Sequence, residues 1–226
     1  MVPDDWAKLI DHTNLRPEAT QDQIIRLCRE AVEFGFAAVV VHAAYVRLAG
    51  SRLEGSEVKL ATVVGFPLGA TLSSVKQFEA SQALELGARE IDMVLNIGAL
   101  KSGQREFVQA EIQGVAGVTH EEGGLLKVIL ETALLTDEEK KLACALSVQG
   151  EADFVKTSTG FLGGGATVHD VRLMRQVVGP NIGVKASGGI RTAGELKAMI
   201  EAGANRIGTS SGVRIMEELR QASRTA

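Results

Sequence analysis

The sequence predicts an α/β fold, a single (β/α)8 TIM barrel over residues 1–226, and three observations support this prediction. Short β-branched apolar runs alternate with longer amphipathic segments along the whole chain, as strands and helices do in α/β proteins. The runs are almost continuously apolar, which is typical of parallel strands covered on both faces. No linker, low-complexity stretch or charge block divides the chain.

Eight apolar runs are predicted to be strands, the first and last partly from their position. In chain order they are Leu9–Asp11, Ala37–Val41, Lys59–Gly65, Glu90–Asn96, Leu125–Glu131, Asp153–Thr157, Ile182–Ala186 and Arg206–Gly208. Eight strand–helix units in 226 residues fit a compact barrel. The alternative, an open doubly wound sheet, would place a glycine-rich turn after the first strand, and Asp11-His12-Thr13-Asn14 has no glycine.

The intervening segments have helical spacing and capping signals. Thr20 is a suitable N-cap for a helix over Thr20–Phe34, and Thr136 and Glu139 form a capping-box pattern at the start of Thr136–Ser147. Each of the other assigned helices is followed by a glycine, a common residue just after a helix end. They are Ser73–Leu86, Val168–Val178 and Ala193–Ala202.

Composition limits the class of protein. Hydrophobic residues make up 45% and charged residues 23%, and the net charge of -4 disfavours nucleic acid as the main partner. No apolar run reaches the roughly 18 residues of a membrane span, and residues 1–6 have no signal-peptide pattern. Cys28 and Cys144 lie far apart in helical segments and are interpreted as small buried hydrophobes. We therefore expect a cytoplasmic protein that binds neither membrane nor nucleic acid.

Two lysines near the ends of buried strands are the strongest chemical signal. Lys156 and Lys185 each follow apolar residues into the mouth of the predicted barrel, where an ammonium group is costly unless it is paired or deprotonated. A second ammonium and partial desolvation lower a lysine pKa, and the neutral amine can attack a carbonyl to form an imine. Asp92 on the fourth strand could stabilise the remaining ammonium and transfer protons. Asp11, at the end of the first strand, is either a helix cap or part of this group.

Glycine- and serine-rich turns after strands six to eight indicate a phosphate site. Gly160 follows the sixth strand, Ser187–Arg191 the seventh and Gly208–Gly212 the eighth. Glycines let backbone N–H groups approach an anion, and barrels often bind phosphate in the last two of these loops. Gly163–Gly165 is interpreted either as a flexible loop or lid, or as extra loop length without a role.

Other polar residues are given a structural interpretation or left open. Glu131 is predicted to cap the next helix, and His42 could either contact substrate or serve structure. His12 and His120 show no metal-ligand spacing, and no cofactor motif is present, so we expect neither metal nor cofactor.

Six blocks of the sequence resemble the deoxyribose-phosphate aldolase family, and the likeness covers nearly the whole chain. They are Leu9–Thr13, Val63–Gly69, Glu90–Val94, Glu131–Leu135, Asp153–Phe161 and Val184–Arg191. The most specific are Lys-Thr-Ser-Thr-Gly from Lys156 and Lys-Ala-Ser-Gly-Gly-Ile-Arg from Lys185.

The resemblance implies reversible cleavage of 2-deoxy-D-ribose 5-phosphate to D-glyceraldehyde 3-phosphate and acetaldehyde. It implies that Lys156 forms the Schiff base, Lys185 tunes its pKa and Asp92 handles proton transfer. The residues expected to bind substrate or its phosphate are Asp11, Thr13, Thr159, Gly160, Gly188, Gly189, Arg191, Gly208, Ser210 and Ser211. Partners are small phosphorylated sugars and aldehydes, and a homo-oligomer (dimer or higher) is expected.

The chain departs from the family pattern in two places. The second strand reads Val40-Val41-His42-Ala43 where the family often has Cys-Val-Asn-Pro, and no tyrosine stands at the C-terminus. Three alternative functions stay open: another Schiff-base aldolase or transaldolase, a phosphosugar isomerase, and a non-catalytic phosphosugar-binding barrel.

Overall fold

The computed structural model describes residues 3–224, in which eight parallel strands form a closed barrel. Each strand pairs with its neighbours in chain order, and β8 pairs with β1 to close the barrel. The strands are β1 (Ile10–Thr13), β2 (Ala38–Val41), β3 (Lys59–Val64), β4 (Glu90–Val94), β5 (Leu125–Ile129), β6 (Phe154–Lys156), β7 (Gly183–Ser187) and β8 (Arg206–Thr209). The predicted barrel is confirmed. Residues 1, 2, 225 and 226, which the predicted domain includes, lie outside the described residues.

Helices surround the barrel and connect its strands. They are α1 (Pro3–Ala7), α2 (Gln21–Phe34), α3 (Val46–Leu53), α4 (Ser73–Glu85), α5 (Ile97–Lys101), α6 (Arg105–Glu121), α7 (Asp137–Gln149), α8 (Val168–Val178), α9 (Ala193–Glu201) and α10 (Gly212–Arg224). Within residues 3–224, none of these helices has the length and hydropathy to cross a membrane.

The predicted elements agree with the structure except near their ends. Both proposed N-caps are confirmed, since Thr20 and Thr136 each form a complete capping box. Strands β4 and β5 were predicted to reach Asn96 and Glu131 but end at Val94 and Ile129. Asn96 instead caps α5 by accepting from the Ala99 N–H at 3.0 Å, and the backbone of Glu131 is left-handed at φ 56°.

The barrel interior is divided into a smaller apolar part and a larger charged part. On the side of β2 and β3, Ala38, Val40, Ala61 and Val63 form a small buried cluster with Leu15. The side formed by β4 to β8 and β1 carries buried charged residues. The larger apolar core lies between the strands and the helices and includes Cys28 and Cys144, so their predicted burial is confirmed. Burial raises the pKa of these thiols to about 11 and about 12, respectively.

Candidate active site

Strand register brings the two predicted catalytic lysines side by side. Lys156 on β6 is the direct partner of Lys185 on β7, and Asp92 on β4 is the partner of Lys127 on β5. All four side chains point into the charged part of the barrel, where they meet in one hydrogen-bonded cluster. The sequence-based grouping of Lys156, Lys185 and Asp92 is therefore present in space.

Asp92 is the centre of this cluster. Its Oδ2 accepts from both Lys156 Nζ and Lys185 Nζ at 2.8 Å, and its Oδ1 accepts from Lys127 Nζ at 2.8 Å. Burial alone would raise the pKa of Asp92, but the ammonium groups of Lys127, Lys156 and Lys185 hold it well below its usual value. Asp92 is therefore an anion that fixes both candidate catalytic amines.

A second layer of charge lies below, toward the amino ends of the strands. Asp11 accepts from Lys185 Nζ and from the Arg206 guanidinium, the latter at 2.7 Å. Glu90 pairs with Arg206 at 2.9 Å and with Lys127 at 2.6 Å. Burial opposes ionisation of Asp11, yet Lys185 and Arg206 lower its pKa overall.

The network holds three carboxylates (Asp11, Glu90 and Asp92) and four basic groups (Lys127, Lys156, Lys185 and Arg206). With every group ionised, the charges would sum to +1, and loss of one proton would balance them. Desolvation lowers the pKa of Lys156 to about 8, assisted by Lys185 and opposed by Asp92. In contrast, Lys127 is also desolvated, but Asp92 and Glu90 raise its pKa above its usual value. Lys156 is therefore the lysine best suited to lose a proton.

Two glycines give the network its space. A Cβ on Gly208 would lie 3.1 Å from Lys185 Cε, and a Cβ on Gly183 would overlap the ring of Phe154. That ring lies under Arg206, whose guanidinium carbon is 5.7 Å from the ring centroid. Gly208, expected from sequence to bind phosphate, thus also makes room for the Lys185 side chain.

A cavity of about 710 Å³ opens above the network at the carboxyl ends of the strands. Lys156 lies at its base, while Asp11, Asp92 and Lys185 lie beneath and are not among the lining residues. The expected site residues that line it are Thr13, Lys156, Thr159, Gly160, Gly188, Gly189, Arg191, Gly208 and Ser210. Ser211 is not among them, and its N–H donates to Thr209 Oγ1 at 2.9 Å.

The loops at the predicted phosphate end are fixed to each other. Gly188 and Gly189 have φ of 91° and 81°, which only glycine adopts readily. Thr209 Oγ1 donates to the Ile190 carbonyl at 2.7 Å, and the Ala166 N–H donates to the Gly188 carbonyl at 3.0 Å. The glycine run 163–165 therefore leads into a segment that packs on the loop after β7, so it is more than unattached extra loop length.

The remaining polar residues have definite partners. The Thr13 hydroxyl donates to the Asp11 carbonyl at 2.9 Å, and the Thr159 hydroxyl donates to Glu131 Oε2. Glu131 makes no side-chain capping bond, so its predicted capping role is wrong. His42 contacts the β1 loop, with its Nε2 2.9 Å from the Leu15 carbonyl oxygen.

Sequence reasoning missed Lys127, Glu90 and Arg206. Lys127 stands between apolar residues in Leu125–Ile129, and the cost of burying a lone ammonium, which marks Lys156 and Lys185, marks it equally. Glu90 and Arg206 begin their strands, where charged residues usually reach solvent, and no local pattern marks them as buried partners.

Comparison with known proteins agrees with this geometry. The profile of the DeoC/LacD family aldolases matches residues 6–217. The chain belongs to this family. Its DeoC/LacD relatives include the deoxyribose-phosphate aldolase of Thermococcus gammatolerans, 61% identical over 98% of this chain and 100% of that protein. The deoxyribose-phosphate aldolase of Halalkalibacterium halodurans is 58% identical over 93% of this chain and 94% of that protein.

The DeoC/LacD fold is also matched by solved structures. The tetrameric deoxyribose phosphate aldolase from Aeropyrum pernix superposes with a TM-score of 0.91 at 38% identity, covering 97% of this chain and 93% of that one. The family resemblance inferred from the six sequence blocks is confirmed.

Proposed function

We propose that this chain reversibly cleaves 2-deoxy-D-ribose 5-phosphate to D-glyceraldehyde 3-phosphate and acetaldehyde through a Schiff base on Lys156. The observation that carries the proposal is the shared contact of the Lys156 and Lys185 ammonium groups with one oxygen of Asp92, at the base of the cavity. The relatives at about 60% identity named deoxyribose-phosphate aldolase support the same substrate.

The lowered pKa supplies the nucleophile. With its pKa at about 8, Lys156 is neutral in about a tenth of molecules at pH 7. An ordinary lysine with a pKa of ~10.4 would be neutral in fewer than about one in a thousand. The environment thus raises the concentration of attacking amine more than a hundredfold.

The reaction then follows imine chemistry. Lys156 Nζ adds to C1 of the open-chain sugar, and water leaves to give a protonated imine. The C3 hydroxyl loses its proton, the C2–C3 bond breaks, and its electron pair forms an enamine as glyceraldehyde 3-phosphate leaves. Protonation of the enamine at C2 and addition of water release acetaldehyde and regenerate the amine.

Asp92 supports these steps mainly as a fixed anion. Because its pKa is well below the usual value, it is a weak base toward an alcohol. We assign the proton transfer at C3 to a water that hydrogen-bonds to Asp92 or Lys185. Asp92 also stabilises the positive charge of the imine that replaces the Lys156 ammonium.

The phosphate is assigned to the far end of the cavity. Gly188, Gly189 and Ser210 line that end with Arg191, which supplies a positive charge. Since the Ser211 N–H is already donated to Thr209, we expect Ser211 to contribute less than Ser210.

Borohydride reduction in the presence of 2-deoxyribose 5-phosphate, followed by peptide mass spectrometry, tests the proposal. We expect one irreversible adduct on Lys156 and none in Lys156→Met, which retains the length of the side chain without an amine. Lys101→Met, which removes an exposed lysine paired with Glu139, is the matched control and should label normally. If the phosphosugar binds but no adduct forms, the remaining functions are a phosphosugar isomerase and a non-catalytic binding barrel. If the protein forms an adduct but prefers a ketone as donor, it is another Schiff-base aldolase or a transaldolase.

We further propose that the chain forms a homo-oligomer. Leu68, Val75 and Phe78 are 60%, 45% and 66% exposed and border an apolar groove of about 610 Å³ beside α4. A protruding aromatic next to a groove on the same surface is suited to a twofold contact with a second copy. The tetrameric Aeropyrum relative supports assembly in this family.

A further inference from the structure

Glu131 is a buried acid that the proposed chemistry does not use. It follows β5, its side chain is 0% exposed, and it makes no ion pair with any residue in the range 3–224. Burying a carboxylate without a counter-charge is costly, so stability alone does not favour this residue here. Its left-handed backbone, with φ at 56°, is also unfavourable for a side chain of this size. Unfavourable features of both kinds at one residue near a site suggest a functional constraint.

The carboxylate is directed at the loop that follows the candidate Schiff-base lysine. Glu131 Oε2 accepts from the backbone N–H of Thr159 at 3.2 Å and from the Thr159 hydroxyl. The Thr159 oxygen in turn accepts from the Phe161 N–H at 3.1 Å. The three contacts fix both the position and the rotation of the Thr159 hydroxyl.

This arrangement determines what Thr159 can offer to a ligand. A threonine hydroxyl has one proton to donate and two lone pairs. The hydroxyl donates its one hydrogen bond to Glu131, and one of its lone pairs accepts from the Phe161 N–H. One lone pair therefore remains for a further hydrogen bond. Thr159 lines the cavity, and its oxygen can therefore only accept a hydrogen bond from a bound molecule.

We infer that Glu131 is a positioning residue that makes Thr159 an obligate acceptor, so that the site selects substrates with a hydroxyl group between the reacting carbon and the phosphate. The inference rests on the proposed function. Thr159 lines the same cavity as Lys156 and the glycines of the phosphate end, and in sequence it stands three residues after Lys156 and directly before Gly160. In the proposed substrate, the hydroxyl between the reacting carbon and the phosphate is on C4, which becomes the C2 hydroxyl of glyceraldehyde 3-phosphate.

The test compares two acceptor aldehydes in the synthetic direction with acetaldehyde as donor. One is D-glyceraldehyde 3-phosphate, and the other is 3-oxopropyl phosphate, which lacks only the C2 hydroxyl. The readout is the ratio of the two kcat/KM values, because a loosened loop lowers both values whereas loss of the acceptor lowers their ratio. We expect the unmodified enzyme to favour the hydroxylated aldehyde by at least about tenfold, since a site built to bond a hydroxyl discriminates against its absence.

Four variants and one control separate the role of Glu131 from general structure. Thr159→Val should bring the ratio near one because it removes the oxygen, and Glu131→Met should lower the ratio only partway because the hydroxyl can still accept but is no longer held in one position. Glu131→Gln retains a carbonyl acceptor and Thr159→Ser retains the hydroxyl, so both should keep most of the preference. Ser158→Ala, which removes a neighbouring buried hydroxyl outside these contacts, is the control and should keep the ratio.

The outcomes are distinct. If the preference for the hydroxylated aldehyde persists in Thr159→Val, Thr159 does not select the hydroxyl. If the preference is lost in Thr159→Val but fully kept in Glu131→Met, Glu131 does not orient the Thr159 hydroxyl. Either result overturns the inference and leaves the proposed aldolase function intact. If the unmodified protein converts neither aldehyde, the proposed function is wrong and the inference falls with it.

Discussion

Two opposing effects act on the Lys156 amine and set its pKa. Desolvation disfavours its ammonium form, whereas Asp92 at 2.8 Å stabilises that form, and the positive charges of Lys185 and Lys127 oppose Asp92. A lysine buried alone would lose its proton but also its orientation. One buried among matched charges keeps a fixed position and a pKa of about 8. The surrounding charges therefore set both the geometry and the basicity of the proposed nucleophile.

The pH dependence of kcat/KM should report this amine. Raising the pH converts the inactive ammonium to the active amine, so we expect kcat/KM to rise with pH below about 8 and to level off above it. Lys127→Met removes a positive charge that lowers the Lys156 pKa and leaves three carboxylates to three basic groups, so the rising limb should move to higher pH. Initial rates with 2-deoxyribose 5-phosphate across this range provide the measurement.

The matched control for Lys127→Met is Lys101→Met, whose ammonium group pairs with Glu139 at an exposed position. The pH at which kcat/KM rises should be the same in Lys101→Met as in the unmodified enzyme. If that pH is also unchanged in Lys127→Met, Lys127 does not act on Lys156. In that case, the proposed balance of charges would be incorrect.

At the residue scale, the sequence allowed prediction of the group formed by Lys156, Lys185 and Asp92 but not of its further partners. Lys156 and Lys185 are visible because a lysine that follows apolar residues near the end of a buried strand is unusual. Arg206 and Glu90 begin their strands, and only closure of the barrel brings β8 and β4 close enough for their 2.9 Å contact. The Glu131–Thr159 contact depends on a left-handed residue that the sequence gives no reason to expect.

At the element scale, the strands and their order in the barrel were predictable because most strands have a nearly continuous apolar run, whereas their register comes from the structure alone. The ends of β4 and β5 were not predictable, since Asn96 and Glu131 follow apolar residues but lie beyond the paired strands. Asn96 caps α5, and the backbone of Glu131 is left-handed. Outside the barrel, α4 is joined to β4 and α6 by one buried charge pair. Lys76 Nζ donates to Glu111 at 2.8 Å and to the Val94 carbonyl at 2.9 Å. This contact holds the carboxyl end of β4, two residues beyond Asp92.

Breaking that pair should destabilise the fold more than replacing it. Lys76→Met leaves the Glu111 carboxylate buried and unpaired, with an expected loss of about 3–5 kcal/mol in the free energy of unfolding. Lys76→Met with Glu111→Leu should recover most of this loss, because no buried charge remains. Urea denaturation followed by circular dichroism measures both variants. Lys141→Met, at an exposed pair with Glu138, is the control and should leave the midpoint unchanged.

Equal midpoints for Lys76→Met and the unmodified protein would mean that water reaches Glu111 or that α4 moves. A double variant as unstable as the single one would assign the loss to the Val94 contact instead of the charge pair. The two variants thus separate the contributions of charge and hydrogen bonding at this junction.

At the scale of the whole molecule, the two parts of the barrel interior have different chemistry. The part that holds the charged network covers β4 to β8 and β1, whereas β2 and β3 line an apolar side with Leu15 and Phe66. Periodicity predicted the barrel but not this division, because inward-facing positions of β2 and β3 resemble outward-facing ones in sequence.

The outer surface leads to a prediction about assembly. If the groove beside α4 is a contact between copies, then Phe78→Lys places a charge in it and should favour the monomer, because burying an unpaired ammonium is costly. Size-exclusion chromatography with light scattering at several concentrations gives the mass. We expect at least a dimer for the unmodified chain and a shift toward one chain for Phe78→Lys. Phe107→Lys, at a phenylalanine that is 43% exposed on α6 and does not line the groove, should keep the assembly. A Phe78→Lys protein that remains fully assembled would place the interface on another face, and an unmodified chain that is monomeric would contradict the assembly itself.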